Sequence, residues 1–241
     1  MDVYWFEQIA ADVPAGEDWL GAKEVSHLHT LRFPKRRADW LIGRWTAKNA
    51  VAIFFSLGRA HQALSSIEIR PSPSGAPQVF LKNVLADVTV SLSHRAGIGL
   101  CALAPSGVSL GCDLETIEPH GDAFPVDYFT PEEQVLVTHA PTIADSLRAL
   151  TLLWSAKESA LKALGEGLRL DTRSVVVRFP GISEKFSQST DWRPLQVHYR
   201  PDVIFHGWWN QSGEFLRTIV ALPAPTPPIP LYFGYQVPAL L

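Results

Sequence analysis

The chain has 241 residues, of which 46% are hydrophobic and 19% charged, with 21 Lys and Arg against 24 Asp and Glu. This composition is typical of a folded globular protein and excludes a disordered or fibrous chain. The formal net charge of -3 argues against a general nucleic-acid binder, which would carry a strongly basic surface. The longest wholly apolar run, residues 50–55, is far shorter than the ~20 residues that span a bilayer, so we expect a cytoplasmic protein without membrane association.

The two cysteines, Cys101 and Cys112, lie in apolar stretches, and no second cysteine or histidine follows at the spacing of metal ligands. This pattern predicts neither a disulfide framework nor a structural zinc site. Both residues are expected to be small members of the hydrophobic core.

The first predicted helix covers residues 35–55, where apolar residues recur at spacings of 7, 4 and 3 between Trp40 and Phe54. A second stripe on the same helix is basic and contains Arg37, Arg44 and Lys48. Taken alone, three aligned cations are as well explained by a solvated helix face as by an anion site.

A loop is predicted next, at the Pro-, Ser- and Gly-rich residues 71–77. From residue 88 to 115 the chain alternates as strands do, with a turn at residues 105–107. In the last of these strands Asp113 and Glu115 share one face, opposite an apolar set. Paired carboxylates of this kind suit Mg²⁺, although two acids on an exposed strand would give the same pattern.

Helical periodicity returns from residue 129. Thr130, Pro131 and two following glutamates form a helix start, with a capping Thr, Pro in the first turn and acids at the positive end of the helix dipole. A longer helix is predicted at residues 147–164, ended by glycines. Strands are predicted at residues 174–179, 195–199 and 215–222, and the last twenty residues form an extended proline-rich tail.

Two further patterns contain residues that could take part in a reaction, but neither pattern alone indicates a functional site. Glu158 and Lys162 lie one turn apart at the edge of an apolar stripe, a spacing that also occurs in ordinary helix-stabilising pairs. Ser93 and His94 end a strand, where the imidazole could meet a phosphate. The sequence contains no nucleophile elbow, phosphate-binding loop or dinucleotide-binding glycine motif.

Three motifs in fixed order carry a family resemblance. They are Ser-x-Ser-His at residues 91–94, Gly-x-Asp-x-Glu at 111–115, and Trp-x-x-Lys-Glu-x-x-x-Lys-x-x-Gly-x-Gly-Leu at 154–168. Together they resemble the Sfp-type 4′-phosphopantetheinyl transferases, as do the Phe-Thr-Pro-Glu-Glu segment at 129–133 and the Gly43-Arg44 pair. The resemblance covers about residues 32–170.

The resemblance implies an α+β fold built as a pseudo-dimer of two similar lobes, each a small, mainly antiparallel sheet with packed helices. The lobes would be residues 1–106 and residues 107–241, the second holding the metal-binding motifs and the tail. The implied reaction transfers 4′-phosphopantetheine from coenzyme A to a serine of an apo acyl or peptidyl carrier protein and releases adenosine 3′,5′-bisphosphate. Mg²⁺ is the implied cofactor, and a monomer is expected.

The positions that match the family motifs imply a set of site residues. The implied metal ligands are Asp113, Glu115 and Glu158. The implied catalytic residues are Glu158, Lys162, His94 and Glu133, the last as a candidate base for the carrier serine. The implied contacts to coenzyme A are Arg37, Arg44, Lys48, Gly75, Pro77, Ser93, His94 and Lys162. Many relatives read Gly-Lys/Arg-Pro where this chain has Ala76 between Gly75 and Pro77, so one cation is missing.

Two other classes of function stay open at this point. A catalytically silent homologue would bind coenzyme A or a carrier protein without turnover. A metal-dependent nuclease or phosphatase would use the same acids to hydrolyse nucleotides without a protein acceptor.

Overall fold

The computed structural model describes residues 1–179 and 190–235. Within these residues the helices are α1 (Ala22–Leu28), α2 (Pro34–Phe54), α3 (His61–Ser65), α4 (Ala123–Tyr128), α5 (Pro131–Thr138) and α6 (Ile143–Ala163). The strands are β1 (Tyr4–Ile9), β2 (Ile67–Pro71), β3 (Pro77–Leu81), β4 (Val84–Leu85), β5 (Val88–Arg95), β6 (Ile98–Pro105), β7 (Ser109–Thr116), β8 (Val176–Arg178), β9 (Arg193–Arg200), β10 (Val203–Ser212), β11 (Phe215–Leu222) and β12 (Ile229–Pro230). The α+β class expected from the resemblance is confirmed.

The chain forms two compact units. The N-terminal unit comprises Val3–Gly107 and the segment from Ile229, and the C-terminal unit comprises Met1–Asp2 and Val108–Pro228. The division after Gly107 falls in the predicted turn at residues 105–107. The tail differs from the expected lobe boundaries, because from Ile229 it belongs to the N-terminal unit, where β12 pairs in parallel with β1.

In the N-terminal unit a four-stranded sheet has the order β12-β1-β6-β5, and a three-stranded sheet has the order β2-β3-β4. Helix α2 packs on β6, β1 and β5 and confirms the first predicted helix, with Pro34 in its first turn. The predicted loop at residues 71–77 is the turn that joins β2 to β3.

In the C-terminal unit one antiparallel sheet has the order β7-β11-β10-β9-β8, and α6 packs on β7 and β11. Helix α5 begins as predicted, since Glu133 N donates to Thr130 Oγ1 at 3.3 Å. Helix α6 begins earlier than predicted, because Thr142 caps it by accepting the amide of Asp145 at 3.1 Å. None of the helices in residues 1–179 and 190–235 combines the length and the hydropathy that crossing a bilayer demands.

A buried ion pair anchors the long helix of the C-terminal unit. Lys157 Nζ on α6 lies 2.8 Å from Glu133 Oε2 on α5 and also donates to the carbonyl oxygen of Thr172 at 2.9 Å. The other oxygen of Glu133 accepts the amide of Val177 on β8 at 2.8 Å. One carboxylate therefore joins two helices and a strand.

The N-terminal unit repeats this arrangement. Lys48 on α2 pairs with Glu24 on α1 and donates to the carbonyl oxygen of Trp19 at 3.1 Å. Glu24 Oε1 accepts the amide of Ile69 on β2 at 3.0 Å, and Glu24 Oε2 accepts the amide of Gly21 at the start of α1.

The repeat is also visible in the sequence. Glutamate, tryptophan and lysine recur 109 residues apart, as Glu24 and Glu133, Trp45 and Trp154, and Lys48 and Lys157. The glutamate and the lysine thus hold the same kind of helix in each unit. This supports the expectation of two similar lobes.

Candidate active site

The Gly-x-Asp-x-Glu motif lies on β7, on the face that α6 covers. A Cβ atom at Gly111 would overlap the carbonyl oxygen of Ser159 and lie 2.9 Å from the amide nitrogen of Ala163. Only glycine therefore permits this close approach of helix and strand. Because side chains alternate along a strand, Asp113 and Glu115 face the same helix.

Helix α6 brings two of its side chains to these acids. Lys162 Nζ donates to Asp113 Oδ1 at 2.8 Å and to the carbonyl oxygen of Cys112 at 3.0 Å. Trp154 Nε1 donates to Glu115 Oε1 at 3.3 Å. Asp113 is only 3% exposed, so the exposed-strand alternative does not describe it.

Glu158 lies on α6 between these two contacts. Burial raises the pKa of Glu158, the nearby Asp113 carboxylate raises it further, and Lys162 offsets part of the shift. Burial acts to lower the pKa of Lys162, but the charges of Asp113 and Glu158 and the hydrogen bond to Asp113 act together against it, so the pKa lies above its ordinary value. The cluster therefore combines a cationic lysine with a carboxyl group that takes up protons more readily than an exposed glutamate.

Thr218 on β11 is a positioning residue that the sequence analysis missed. It is directly opposite Asp113 in the sheet, and its Oγ1 lies 2.9 Å from Ser155 Oγ and 2.7 Å from Ser159 Oγ, both on α6. These buried hydroxyl contacts fix α6 over the acids. Because the partners are more than fifty residues apart, spacing gives no signal for them.

A metal-binding group of three side chains is not preformed. Across residues 1–179 and 190–235, no three His, Cys, Asp or Glu side chains lie close enough together to hold an ion. Asp113 is engaged by Lys162, and Glu115 by Trp154. The donor chemistry nevertheless suits a hard divalent cation, since three carboxylates lie on two adjoining elements.

Glu133, the candidate base, is almost fully buried, and its carboxylate is shared among Lys157, Val177 and the cap of α5. Its contacts are those of a structural ion pair.

The basic stripe of α2 is likewise not a solvated face. Lys48 is fully buried against Glu24. Arg37 Nη2 lies 2.8 Å from Glu17 Oε1, and Arg44 lies beside Glu24 and over the ring of Trp40. Phosphate anchoring by Lys48 would require breaking this buried ion pair.

The remaining expected contacts lie in the N-terminal unit. His94 is exposed near the end of β5, opposite Gly99 on β6, and Ser93 beside it is buried. Gly75 has a φ of +92° in the exposed turn before β3, and Pro77 begins that strand. Both cysteines are buried, as predicted.

Comparison with known proteins points to one family. Residues 109–210 match the family model described as the 4′-phosphopantetheinyl transferase superfamily. The chain is 23% identical over 180 residues to the 4′-phosphopantetheinyl transferase HetI of Nostoc sp. (strain PCC 7120), covering 74% of this chain and 73% of that protein.

Two shorter matches are to holo-[acyl-carrier-protein] synthases. One, from Streptococcus sanguinis, is 34% identical over 64 residues, which are 27% of this chain and 53% of that protein. Another, from Campylobacter jejuni subsp. jejuni, is 36% identical over 66 residues, 24% of this chain and 51% of that protein. The chain thus spans about half the length of these two relatives.

Three observations point to the same family. They are the α+β fold, the cluster of acids and a lysine between β7 and α6, and the match of the family model to the residues of that cluster. Residues 109–210 of this chain are therefore similar to the 4′-phosphopantetheinyl transferase superfamily.

Proposed function

We propose that this protein transfers 4′-phosphopantetheine from coenzyme A to a serine of an apo acyl or peptidyl carrier protein. The observation that carries the proposal is the contact of Lys162 with Asp113 beside Glu158, within the residues that match the family. In the reaction the serine oxygen forms a bond to the phosphorus that bears the pantetheine arm. The bond from that phosphorus to the departing adenosine 3′,5′-bisphosphate breaks.

Mg²⁺ would be held by Asp113, Glu115 and Glu158, with coenzyme A phosphates and waters as further ligands. The support is the chemistry of the donors, which are hard, anionic oxygens of the kind this ion takes. The electrostatic effect of Asp113 on the pKa of Glu158 also supports a site that uses both carboxylates. A bound divalent cation would supply positive charge to the reacting pyrophosphate.

Lys162 would stabilise the departing bisphosphate. Its raised pKa keeps the ammonium charged at neutral pH, and its hydrogen bond to Asp113 orients it. Positive charge placed where negative charge develops is the larger part of catalysis in reactions of this type.

Glu158 is our candidate to accept the proton of the carrier serine. This residue is only partly buried and lies in the same cluster as Asp113 and Lys162, where the serine would approach the reacting phosphorus. Glu133, in contrast, we assign to the folding of the C-terminal unit, and Lys48 to that of the N-terminal unit. His94 and Ser93 stay as proposed coenzyme A contacts, together with Arg37, Arg44, Gly75 and Pro77. The proposal includes a cytoplasmic, monomeric enzyme.

The test is incubation of the protein with coenzyme A, Mg²⁺ and a panel of apo carrier proteins, followed by mass spectrometry. We expect at least one carrier to gain one phosphopantetheine and adenosine 3′,5′-bisphosphate to appear in equal amount. A Glu158→Gln protein is the matched control. Coenzyme A binding without any carrier modification would establish the silent homologue, and nucleotide hydrolysis without an acceptor would establish the hydrolase.

A further inference from the structure

Three buried hydroxyl groups lie between α6 and β11, and the proposed reaction gives them no role. They belong to Ser155, Ser159 and Thr218, none of which has any exposed surface. Thr218 Oγ1 donates to the carbonyl oxygen of Ser155 at 2.9 Å and lies within hydrogen-bond distance of both serine hydroxyls. Because a hydroxyl group has one hydrogen and two lone pairs, the hydrogen-bonding capacity of Thr218 Oγ1 is fully used.

The hydroxyl cluster lies where helix and sheet are in close contact. The carbonyl oxygen of Ser159 occupies the space that a Cβ atom at Gly111 would need, and Ser159 Oγ donates to the carbonyl oxygen of Thr218 at 3.3 Å. Ser159 is therefore held against two neighbouring strands, β7 and β11. Glu158 is the residue before it, and Lys162 follows within one turn of the helix.

The equivalent helix of the N-terminal unit packs without such a cluster. At the 109-residue spacing, the place of Ser155 is taken by Thr46 and that of Ser159 by Ala50. Ala50 has no hydroxyl group, and Thr46 Oγ1 is buried without a hydrogen-bond partner in the part of the chain that the structure describes. Helix α2 nevertheless packs on β6 and β1.

The strand position of Thr218 is also apolar in the N-terminal unit. Thr218 lies opposite Asp113 in the sheet, and the counterpart of Asp113 at the 109-residue spacing is Tyr4, which lies opposite Leu103. Leu103 is fully buried. Apolar residues thus suffice to pack a long helix on a sheet. A fully paired hydroxyl cluster adds directional contacts that select one position of the helix, and it is present beside the acids.

We propose that the hydroxyl cluster sets the position of α6 over the sheet and, through it, the placement of Glu158 and Lys162 relative to Asp113. The inference rests on the proposed function. Thr218 is fully buried, so it acts through the backbone of α6 as a positioning residue and touches neither coenzyme A nor the metal.

Binding of Mn²⁺, used as a probe for Mg²⁺, tests the proposal through the loss of the free-ion EPR signal in samples with equal coenzyme A. Thr218→Val keeps the side-chain shape and removes the hydroxyl. We expect its Kd for Mn²⁺ to rise and its kcat for carrier modification to fall, each about tenfold. Thr218→Ser, which keeps the hydroxyl, should restore both values. Thr46→Val, the matched substitution on α2, should change neither.

Urea denaturation of the same variants separates a loss of stability from a loss of position. A Thr218→Val protein that is less stable but keeps the wild-type Kd and kcat would overturn the proposal, because the cluster would then serve the fold alone. Equal losses in the Val and Ser variants, or absence of Mn²⁺ binding in the wild-type protein, would overturn it as well.

Ser159→Ala, whose counterpart in α2 is Ala50, carries the same expectation and decides the matter if Thr218→Val does not fold. The proposed function is tested separately by the wild-type protein. If that protein bound Mn²⁺ but modified no carrier, the transfer reaction would be refuted, while the Mn²⁺ affinities of the variants would still decide whether the cluster positions the acids.

Discussion

The two units share a buried lysine–glutamate ion pair that stabilises the fold, and they differ in the residues next to that pair. In each unit a buried lysine of a long helix pairs with the glutamate that caps a short helix. In the C-terminal unit Glu158 follows this lysine directly, whereas Asn49 occupies the equivalent place in the N-terminal unit. The folding contact and the proposed chemistry therefore lie at neighbouring positions of one helix.

The tryptophans show the same divergence. Trp154 donates its indole N–H to Glu115, while Trp45 packs edge to face with Trp19, with ring centroids 5.1 Å apart. An identical residue at an equivalent helix position thus orients a proposed metal ligand in one unit and fills the core in the other. Residue type alone does not assign a role.

The largest effect is expected when the lysine of each buried ion pair is replaced. Lys157→Met and Lys48→Met should each lower the free energy of unfolding by about 3–5 kcal/mol, because the partner glutamate is left charged and buried. Urea denaturation measures this, with Lys35→Met on the exposed start of α2 as the control. If Lys48→Met were as stable as the control but weakened coenzyme A binding, Lys48 would be an anchor after all.

Replacing Lys162 should affect the rate of transfer and not the stability of the fold. Lys162→Ala should lower kcat by about 10²-fold with little change in KM for coenzyme A, because the charge matters most as the bisphosphate departs. His94→Ala should lower kcat and also raise KM for coenzyme A. Steady-state kinetics of carrier modification distinguishes them, and a Lys162→Ala enzyme with altered KM and normal kcat would make this residue an anchor.

A smaller effect is expected from the tryptophan contact. Trp154→Phe keeps a ring to pack against Phe124 and Tyr128 but loses the N–H that orients Glu115. The Mg²⁺ concentration for half-maximal activity should rise about tenfold. Trp45→Phe is the matched control and should leave this value unchanged; equal shifts in both variants would show that the hydrogen bond has no role.

The smallest effect concerns Ala76 in the turn before β3. If this turn lies beside the nucleotide, Ala76→Lys should lower KM for coenzyme A by no more than a few-fold, with kcat nearly constant and the gain lost in high salt. Ala76→Gln controls for side-chain length. Identical behaviour of the Lys and Gln variants would place the turn away from the nucleotide.

Local signals in the sequence predict the two long helices and the start of α5 at Thr130 and Pro131. The family resemblance, and not spacing alone, groups Asp113, Glu115, Glu158 and Lys162, and the structure joins Lys162 to Asp113. Helices α1, α3 and α4 and strands β1, β2, β3, β4, β10 and β12 are not predicted. In β10, HGWWNQ mixes polar and aromatic residues and gives no clean alternation.

Residues whose role depends on distant partners escaped prediction. The basic stripe predicts a coenzyme A contact at Lys48, whose partner Glu24 lies on another helix, and the resemblance predicts a base at Glu133, whose partner Lys157 lies on α6. The repeat of Glu, Trp and Lys at a spacing of 109 residues is visible in the sequence and indicates residues with equivalent positions in the two units. The glutamate and lysine that recur in both units form the same buried ion pair, whereas Glu158 in the proposed site has Asn49 as its counterpart.

The most direct measurement compares Glu158→Gln with Asn49→Ala in the carrier-modification assay, read by mass spectrometry under identical conditions. If the chemistry resides in the C-terminal unit, Glu158→Gln should slow transfer by about 10²–10³-fold, and Asn49→Ala should stay close to the wild-type rate. A Glu158→Gln enzyme that transfers normally, or an Asn49→Ala enzyme that is equally impaired while folded, would contradict this assignment.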